Sequence, residues 1–128
     1  MKKKYLIVIA DYYKDIAKGL LNSALKLIPK SNIVKIIRVP GVFEIPVTIS
    51  KNIKKYDAFL ALGCVIKGQT PHFDFISRAT TDGIMKISIS SKKPVGNGII
   101  TCLNMKQAVL RMKKGKEAAK AVLSILTQ

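Results

Sequence analysis

An α/β domain with a four-stranded parallel sheet and helices on both faces is the fold class that this sequence predicts. Short apolar runs rich in β-branched residues alternate four times with longer segments that are amphipathic at helical spacing. The third run, Ala58–Ile66, carries no charge, which is typical of a strand covered on both faces. The chain has 128 residues, 48% of them apolar, which is enough for one hydrophobic core. We therefore expect a three-layer sandwich formed by a single domain over residues 1–128.

The first half of the chain is predicted to contain two strands and two helices. Strand one is expected at Tyr5–Ala10, and a helix with one apolar stripe follows it over residues 11–28. Strand two is expected at Ile33–Val39, which is rich in β-branched residues. The pair Pro40–Gly41 ends that strand, and residues 42–46 are expected to lead into a second helix that ends near Lys54.

A polar turn joins the third strand to the next helix. Lys67–Gln69 interrupts the apolar run, and Thr70 is a good N-cap for a helix whose first residue would be Pro71. This helix is expected to end near Ser90. His72, the only histidine in the chain, would then lie in the first turn, beside backbone N–H groups that have no partner inside the helix.

The last strand is predicted at Val95–Thr101, and the last helix follows it. Asn104 and Gln107 have the spacing of a capping box at the start of that helix. Gly115 is expected to interrupt or kink the helix, because glycine is a poor helix former, and the helix is expected to end near Leu126.

The loops that follow four parallel strands meet at one edge of the sheet. Here that edge would collect residues 11–13, 41–44, 67–72 and 101–104. Ligands bind at such edges, and helix N-termini attract anions. An ordinary strand-to-helix loop with one exposed histidine explains residues 67–72 equally well, because these properties name no substrate. No glycine-rich fingerprint follows strand one, so neither ATP nor NAD binding is indicated.

The formal net charge is +16, from 23 Lys and Arg against 7 Asp and Glu. Such a balance raises binding to nucleic acid or to an acidic surface as an interpretation. The basic residues are mostly lysine, however, and they are spread along the chain without an interleaved aromatic motif. We therefore predict lysine-rich solvated faces and no specific nucleic-acid partner.

Hydropathy and cysteine content argue against membrane and zinc proteins. No apolar run reaches the roughly 18 to 20 residues of a membrane span. The apolar part of the N-terminus ends at Asp11, too early for a cleavable signal peptide, so a cytoplasmic location is predicted. Cys64 and Cys102, with one histidine in the chain, are too few for a zinc site. They are predicted to be buried thiols in a reducing compartment.

Three segments of the chain resemble one enzyme family. They are VPGVFEIP at residues 39–46, ALGCVIKGQTPHFD at residues 61–74, and a block over residues 94–111 that ends in QAVLR. They occur in order and at matching spacing over nearly the whole chain, and the first two are highly specific. On these motifs the chain is identified as a member of the 6,7-dimethyl-8-ribityllumazine synthase family.

The resemblance implies the flavodoxin-like form of the predicted sandwich and a step of riboflavin biosynthesis. In this family 5-amino-6-(D-ribitylamino)uracil condenses with 3,4-dihydroxy-2-butanone 4-phosphate, and phosphate and water leave. The resemblance implies no metal and no cofactor. It also implies homopentamers with active sites between neighbouring subunits, which in some members assemble further into decamers or icosahedral shells.

Residues for the pyrimidine substrate are implied by the same resemblance. Tyr12 would stack on the pyrimidine ring. Phe43 and Glu44 would line the ribityl site, with Glu44 accepting hydroxyl protons, and the backbone of Val65 and Ile66 would meet the uracil edge. Three neighbours in the same motifs complete this set of predicted substrate-binding residues: Gly41, Val42 and Cys64.

A second implied set handles the phosphate and the protons. Gln69 and Thr70 would hold the phosphate through backbone amides and a hydroxyl, and Arg111 would bind it through its guanidinium group. Lys114 corresponds to the lysine of the family's last-helix region. His72 would transfer protons during Schiff-base formation, phosphate loss and ring closure.

The chain departs from the family pattern at several positions. Tyr12 and Tyr13 stand where many members have phenylalanine and asparagine. Asn97 stands where many have a phenylalanine that reaches the neighbouring subunit's site, and it is kept here as a predicted substrate-binding residue. The segment between Arg111 and Gly115 is short, and the N-terminal arm of many members is absent. Both regions are linked to assembly, so a plain pentamer is favoured over a larger shell.

Two other functions stay open at this point. One is a basic flavodoxin-like binding module that has lost catalysis and binds a pterin, a flavin or nucleic acid. Faster formation of the lumazine chromophore in the presence of the protein would exclude it. The other is flavin storage or electron transfer, which the residues Thr70, His72 and Arg111 disfavour because it needs no phosphate-leaving chemistry.

Overall fold

The computed structural model describes residues 2–128 and contains four strands, five α-helices and one 3₁₀ turn within them. The strands are β1 (Lys4–Ala10), β2 (Ile33–Val39), β3 (Ala58–Ile66) and β4 (Val95–Cys102). The helices are α1 (Lys14–Leu27), α2 (Ile45–Lys51), α3 (His72–Ser91), α4 (Met105–Leu110) and α5 (Lys114–Leu126). The 3₁₀ turn covers Val42–Glu44 and leads directly into α2.

The four strands form one parallel sheet in the order β2-β1-β3-β4. In its register Ile7 lies opposite both Ile36 of β2 and Leu60 of β3. The chain leaves β1 towards β2 and then crosses to the other side of β1 to form β3. This reversal of direction creates the crevice at which doubly wound sheets bind ligands. The predicted flavodoxin-like α/β sandwich is confirmed.

Alternate residues of the strands supply two hydrophobic cores, one on each face of the sheet. On one face Ile7 and Leu60 pack with Leu20 of α1 and Val122 of α5. The other face is covered by the 3₁₀ turn, α2 and α3, and its core contains the buried residues Val8, Ala61, Ile45 and Ile84. The central strands β1 and β3 are buried almost throughout, as the uncharged sequence of β3 predicts.

One helix end and one helix cap differ in detail from those expected from the sequence. The second helix begins at Ile45, after the 3₁₀ turn and with Pro46 in its first turn, and it ends at Lys51, three residues before the expected Lys54. The predicted capping box forms, but its second bond involves Leu103, the residue before the N-cap Asn104. Asn104 Oδ1 accepts the N–H of Gln107 at 2.9 Å, and Gln107 Oε1 accepts the N–H of Leu103 at 2.8 Å.

The last helical segment is interrupted as predicted, but the break precedes Gly115, which lies inside α5 and packs on α1. Gly115 is buried against the backbone carbonyl of Leu20, where a Cβ atom would collide with the oxygen. The hydroxyl of Ser23 donates to Met112 O at 2.9 Å and accepts the N–H of Lys116 at 2.9 Å. Glycine at this position therefore lets α5 lie directly on α1, and the break between α4 and α5 falls at residues 111–113.

Candidate active site

The carboxyl ends of the strands form one edge of the sheet, and hydrogen bonds connect them in pairs. The N–H of Asp11, after β1, donates to Val39 O at the end of β2 at 3.2 Å. The N–H of Lys67, after β3, donates to Cys102 O at the end of β4 at 2.8 Å. These bonds fix where the loops leave the sheet, and the loops carry most of the residues predicted to form the site.

An aromatic pair follows β1. The Tyr12 ring is 75% exposed, and it meets the Tyr13 ring edge to face with centroids 4.9 Å apart. Tyr13 is partly buried against the core, and burial raises the pKa of its hydroxyl, with smaller contributions from Tyr12 and Cys64. Tyr13 thus packs against Tyr12, and most of the Tyr12 side chain stays accessible to a planar ligand.

The loop after β2 places a carboxylate and a second aromatic ring at the same edge. The N–H of Glu44 donates to Gly41 O at 3.2 Å, which closes the 3₁₀ turn. A Cβ added to Gly41 would lie 3.2 Å from Glu44 Oε1, so the carboxylate folds back over the glycine. Phe43 is 57% exposed, whereas the Val42 side chain is buried in the core. A ligand here would therefore meet the Phe43 ring, the Glu44 carboxylate and the backbone of residues 41–42.

The end of β3 becomes progressively more accessible to solvent. The Cys64 side chain is buried, Val65 and Ile66 are half-buried, and residues 67–72 are exposed. Burial raises the pKa of Cys64 to about 12, with smaller contributions from the neighbouring Cys102, so Cys64 is a neutral thiol at physiological pH. The site residues of this segment therefore offer backbone groups at 65–66 and side chains from Gln69 onward.

The predicted N-cap of α3 is wrong by one residue. Pro71, with φ −70° and ψ 3°, occupies the capping position, and the first helical residue is His72. The Thr70 hydroxyl does not form a standard cap, but its Oγ1 accepts the N–H of His72 at 3.4 Å. Pro71 has a ψ outside the helical range, but its carbonyl accepts the N–H groups of Asp74 at 3.0 Å and Phe75 at 3.2 Å, so it caps the helix and α3 begins one residue later. The His72 side chain is exposed to solvent.

The remaining predicted residues lie together in a separate cavity of about 420 Å³ beside β4. Asn97, Arg111 and Lys114 all line it, with Thr101 and Glu117. Asn97 Oδ1 accepts the N–H of Ile99 at 3.1 Å, and Lys114 Nζ lies 4.0 Å from Glu117 Oε1. The cavity therefore presents an arginine, a lysine and an amide, and an anionic group would be attracted to it.

The structure thus divides the predicted site residues into two groups. We call the solvent-accessible site residues of the loops after β1, β2 and β3 the strand-end group; all are exposed except Glu44, which is half-buried. We call the cavity beside β4 the Arg111 cavity. The strand-end group consists of Tyr12, Phe43, Glu44, Gln69, Thr70 and His72. None of these six residues lines the Arg111 cavity, so within one chain His72 and Arg111 do not line the same cavity.

Two further features of residues 2–128 concern metal binding and the membrane. In that part of the chain, no three His, Cys, Asp or Glu side chains converge into a group able to hold a metal ion. None of the helices in the same range is long and apolar enough to cross a membrane. The predicted cytoplasmic location is not tested by these observations and stays a prediction.

Comparison with known proteins decides the family. Residues 2–128 match the family model described as 6,7-dimethyl-8-ribityllumazine synthase. The chain belongs to this family. A protein of that name from Cutibacterium acnes is 39% identical over 133 residues, which covers 97% of this chain and 80% of the relative. Another from Methylorubrum populi is 41% identical over 136 residues, covering 96% of this chain and 80% of the relative.

A third relative shows that the similarity extends across different bacteria. The 6,7-dimethyl-8-ribityllumazine synthase of Corynebacterium kroppenstedtii is 41% identical over 125 residues, covering 91% of this chain and 79% of the relative. The match therefore includes both the strand-end group and the Arg111 cavity, which lie within the residues that the lumazine synthase family model covers.

Some contacts at the candidate site are not evident in the sequence. Thr101 and Cys102 lie against the guanidinium group of Arg111, and Glu117 pairs with Lys114. The spacing of Lys114 and Glu117, three residues apart in a predicted helix, is a signal that could have indicated their pair. No local pattern indicates the contact of Cys102 with Arg111, because this contact depends on how the turn after α4 places the Arg111 side chain against β4.

Proposed function

We propose that this chain condenses 5-amino-6-(D-ribitylamino)uracil with 3,4-dihydroxy-2-butanone 4-phosphate in active sites that two copies of the chain form together. The observation that carries this proposal is that His72 does not line the cavity that holds Arg111 and Lys114. A reaction that releases phosphate and moves protons needs both groups beside one substrate. A neighbouring copy that brings its Arg111 cavity to the strand-end group would meet this need.

The strand-end group would bind the pyrimidine substrate. Its ring would stack on the exposed face of Tyr12, and the ribityl chain would lie between Phe43 and Glu44, where the carboxylate can accept hydrogen bonds from hydroxyls. The half-buried backbone of Val65 and Ile66 would meet the uracil edge.

The phosphate substrate would lie between the two groups. Arg111 and Lys114 of one copy would bind the phosphate. The exposed turn that contains Gln69 and Thr70 in the other copy would complete the site with amides and a hydroxyl. Asn97 would add an amide to the wall of the Arg111 cavity.

His72 would transfer protons at this junction. Attack of the uracil amine on the ketone forms a carbinolamine, and loss of water then gives the Schiff base. Elimination of phosphate follows, and the second amine then attacks the remaining carbonyl and closes the ring with loss of a second water. Each step moves a proton that a neighbouring imidazole can accept or return. Much of the rate enhancement would come from holding the two substrates in reacting geometry, so the loss of His72 would slow the reaction rather than abolish it.

A homo-oligomer is required by this arrangement, and exposed apolar side chains support one. Phe75 on α3 is 69% exposed and Leu110 on α4 is 72% exposed. Further large apolar side chains are exposed on and beside the same two helices: Met85, Ile89, Leu103, Met105 and Val109. A set of this size is typical of surfaces that are covered by another protein chain. We propose a homopentamer, with a decamer or an icosahedral shell as the alternative.

Two measurements test the proposed function. The purified protein with both substrates should produce the lumazine chromophore faster than the substrates alone, as followed by absorbance. Ultracentrifugation should give about five times the chain mass of 14.1 kDa. The proposal is wrong if the protein does not accelerate chromophore formation. A mass equal to one chain would exclude a site shared between copies.

A further inference from the structure

The edge of the sheet at β4 is open, and the guanidinium group of Arg111 lies on it. The carbonyls of Pro94 and Cys102 accept N–H groups at the two ends of β3, from Phe59 at 3.0 Å and Lys67 at 2.8 Å. Because backbone groups alternate in direction along a strand, the carbonyls of the odd-numbered residues of β4 point away from β3. Thr101 O is one of these outward carbonyls.

Arg111 uses one nitrogen to contact this edge. Its Nη1 donates to Thr101 O at 3.1 Å and lies 3.9 Å from Cys102 Sγ. In residues 2–128 the structure shows no hydrogen bond from Nη2 or Nε of Arg111 and no carboxylate paired with it. The guanidinium group is therefore held at one corner, and none of these residues accepts a hydrogen bond from its opposite edge, which is formed by Nη2 and Nε.

Neither of the two groups that contact Nη1 of Arg111 is a carboxylate. A carboxylate in the same place would neutralise the guanidinium group and compete with an incoming phosphate. A carbonyl oxygen and a thiol fix the direction of the group and leave its full positive charge for a ligand. Cys102 is also completely buried, with 0% exposure, so its sulfur position is set by the core and is independent of solvent.

We propose that Cys102 is a positioning residue that, with the carbonyl of Thr101, fixes Nη1 of Arg111 so that the Nη2 and Nε edge faces the phosphate of the substrate. This inference rests on the proposed function, because it assigns to Arg111 a phosphate ligand. A guanidinium group binds a phosphate through two parallel N–H donors, and here these donors are the two nitrogens that the protein leaves unpaired. Cys102 itself does not touch the substrate.

Replacements at Cys102 separate this role from simple packing. Cys102→Val keeps an apolar side chain of similar size but removes the acceptor, whereas Cys102→Ser keeps an acceptor. Val122→Ala is the matched control, because Val122 is buried in the same core and does not line the Arg111 cavity. Initial rates would be measured for each variant while each of the two substrates is varied in turn.

The proposal predicts a selective effect on the phosphate substrate. Cys102→Val should raise the KM for the butanone phosphate about threefold to tenfold, which is the size expected for one weak hydrogen bond to a charged group. It should also raise the inhibition constant of inorganic phosphate by a similar factor. The KM for the pyrimidine and the value of kcat should change little. Cys102→Ser and Val122→Ala should match the wild type in all these constants.

Several outcomes would overturn the proposal. An unchanged KM and phosphate inhibition constant in Cys102→Val would do so, and so would an equal rise in the KM of both substrates. If Cys102→Val does not fold, as judged by circular dichroism, Cys102→Ala replaces it in the same comparison. A wild-type protein that forms no lumazine would instead refute the proposed function, so the two failures are distinguishable.

Discussion

The strand-end group and the Arg111 cavity differ in how firmly their side chains are held. In the Arg111 cavity the structure provides a partner for each key side chain: Thr101 O for Arg111, the N–H of Ile99 for Asn97, and Glu117 for Lys114. In the strand-end group His72 and Gln69 are exposed, and within residues 2–128 the structure shows no hydrogen bond from either side chain. The polar side chains of the cavity thus have partners within one chain, whereas His72 and Gln69 of the strand-end group are exposed and have none in that part of the chain.

This difference indicates a division of labour. A prearranged cationic cavity loses little conformational entropy on binding an anion, so it suits selective binding of the phosphate. An exposed histidine becomes an effective proton-transfer group only when a neighbour excludes water and fixes the substrate beside it. We therefore expect replacements in the cavity to change KM and replacements in the strand-end group to change kcat.

The largest effect is expected for Arg111→Ala. It removes the guanidinium group and should raise the KM for the butanone phosphate about 100-fold, because charged hydrogen bonds to a desolvated phosphate are among the strongest in a binding site. The KM for the pyrimidine should stay near the wild-type value. Steady-state kinetics with each substrate varied measure both constants. Arg38→Ala is the control, since Arg38 is an exposed arginine on β2. A similar rise in the KM of that variant would show that the effect is not specific to Arg111.

His72→Ala should have the next largest effect, and this effect should be on kcat and not on KM. We expect kcat to fall about tenfold to 100-fold, the lower part of the range for general acid–base groups, with both KM values within a few-fold of wild type. The measurement is the steady-state rate of lumazine formation with both substrates near saturation. A changed KM with an unaltered kcat would place His72 in binding and would contradict the comparison between the two groups.

The smallest effect concerns the two buried cysteines, Cys64 and Cys102, of which Cys102 contacts Arg111. Because burial raises the pKa of Cys64 to about 12, its thiol stays protonated at pH 8, well below that pKa, and the reactive thiolate is scarce. Cys102 is fully buried. A thiol-specific reagent such as Ellman's reagent should therefore titrate neither cysteine in the native protein at pH 8 and both in guanidinium chloride. Rapid reaction of a thiol in the native protein would mean that solvent reaches these cysteines, and it would contradict the burial of Cys102 against Arg111.

Much of the fold could be predicted from the sequence, because its elements follow local patterns. The uncharged run Ala58–Ile66 matches β3 to the residue, and the alternation of strands and helices predicts the parallel sheet. The boundaries that were missed depend on competition between neighbouring residues. Pro71 and Thr70 both suit the start of α3, and the structure begins the helix after the proline.

The candidate site was predictable as a set of residues but not as an arrangement. Strand ends gather at one edge of a parallel sheet, so residues 11–13, 41–44 and 67–72 could be expected together. Whether Arg111 joins them depends on the path of the turn between α4 and α5, which the packing of Gly115 on Leu20 determines. That contact joins residues far apart in the chain, and no local pattern encodes it.

The central claim is that each active site combines His72 of one copy with Arg111 of another, and a mixed oligomer tests it most directly. The variants His72→Ala and Arg111→Ala would be coexpressed with different affinity tags, and mixed assemblies would be purified and assayed at a low concentration of the butanone phosphate. Random assembly at equal amounts should leave about one quarter of the sites with both residues intact, because a ring of identical contacts pairs each surface with a neighbour's surface. The account predicts activity well above that of either variant assembled alone. Activity no greater than the mean of the two separate variants would contradict it.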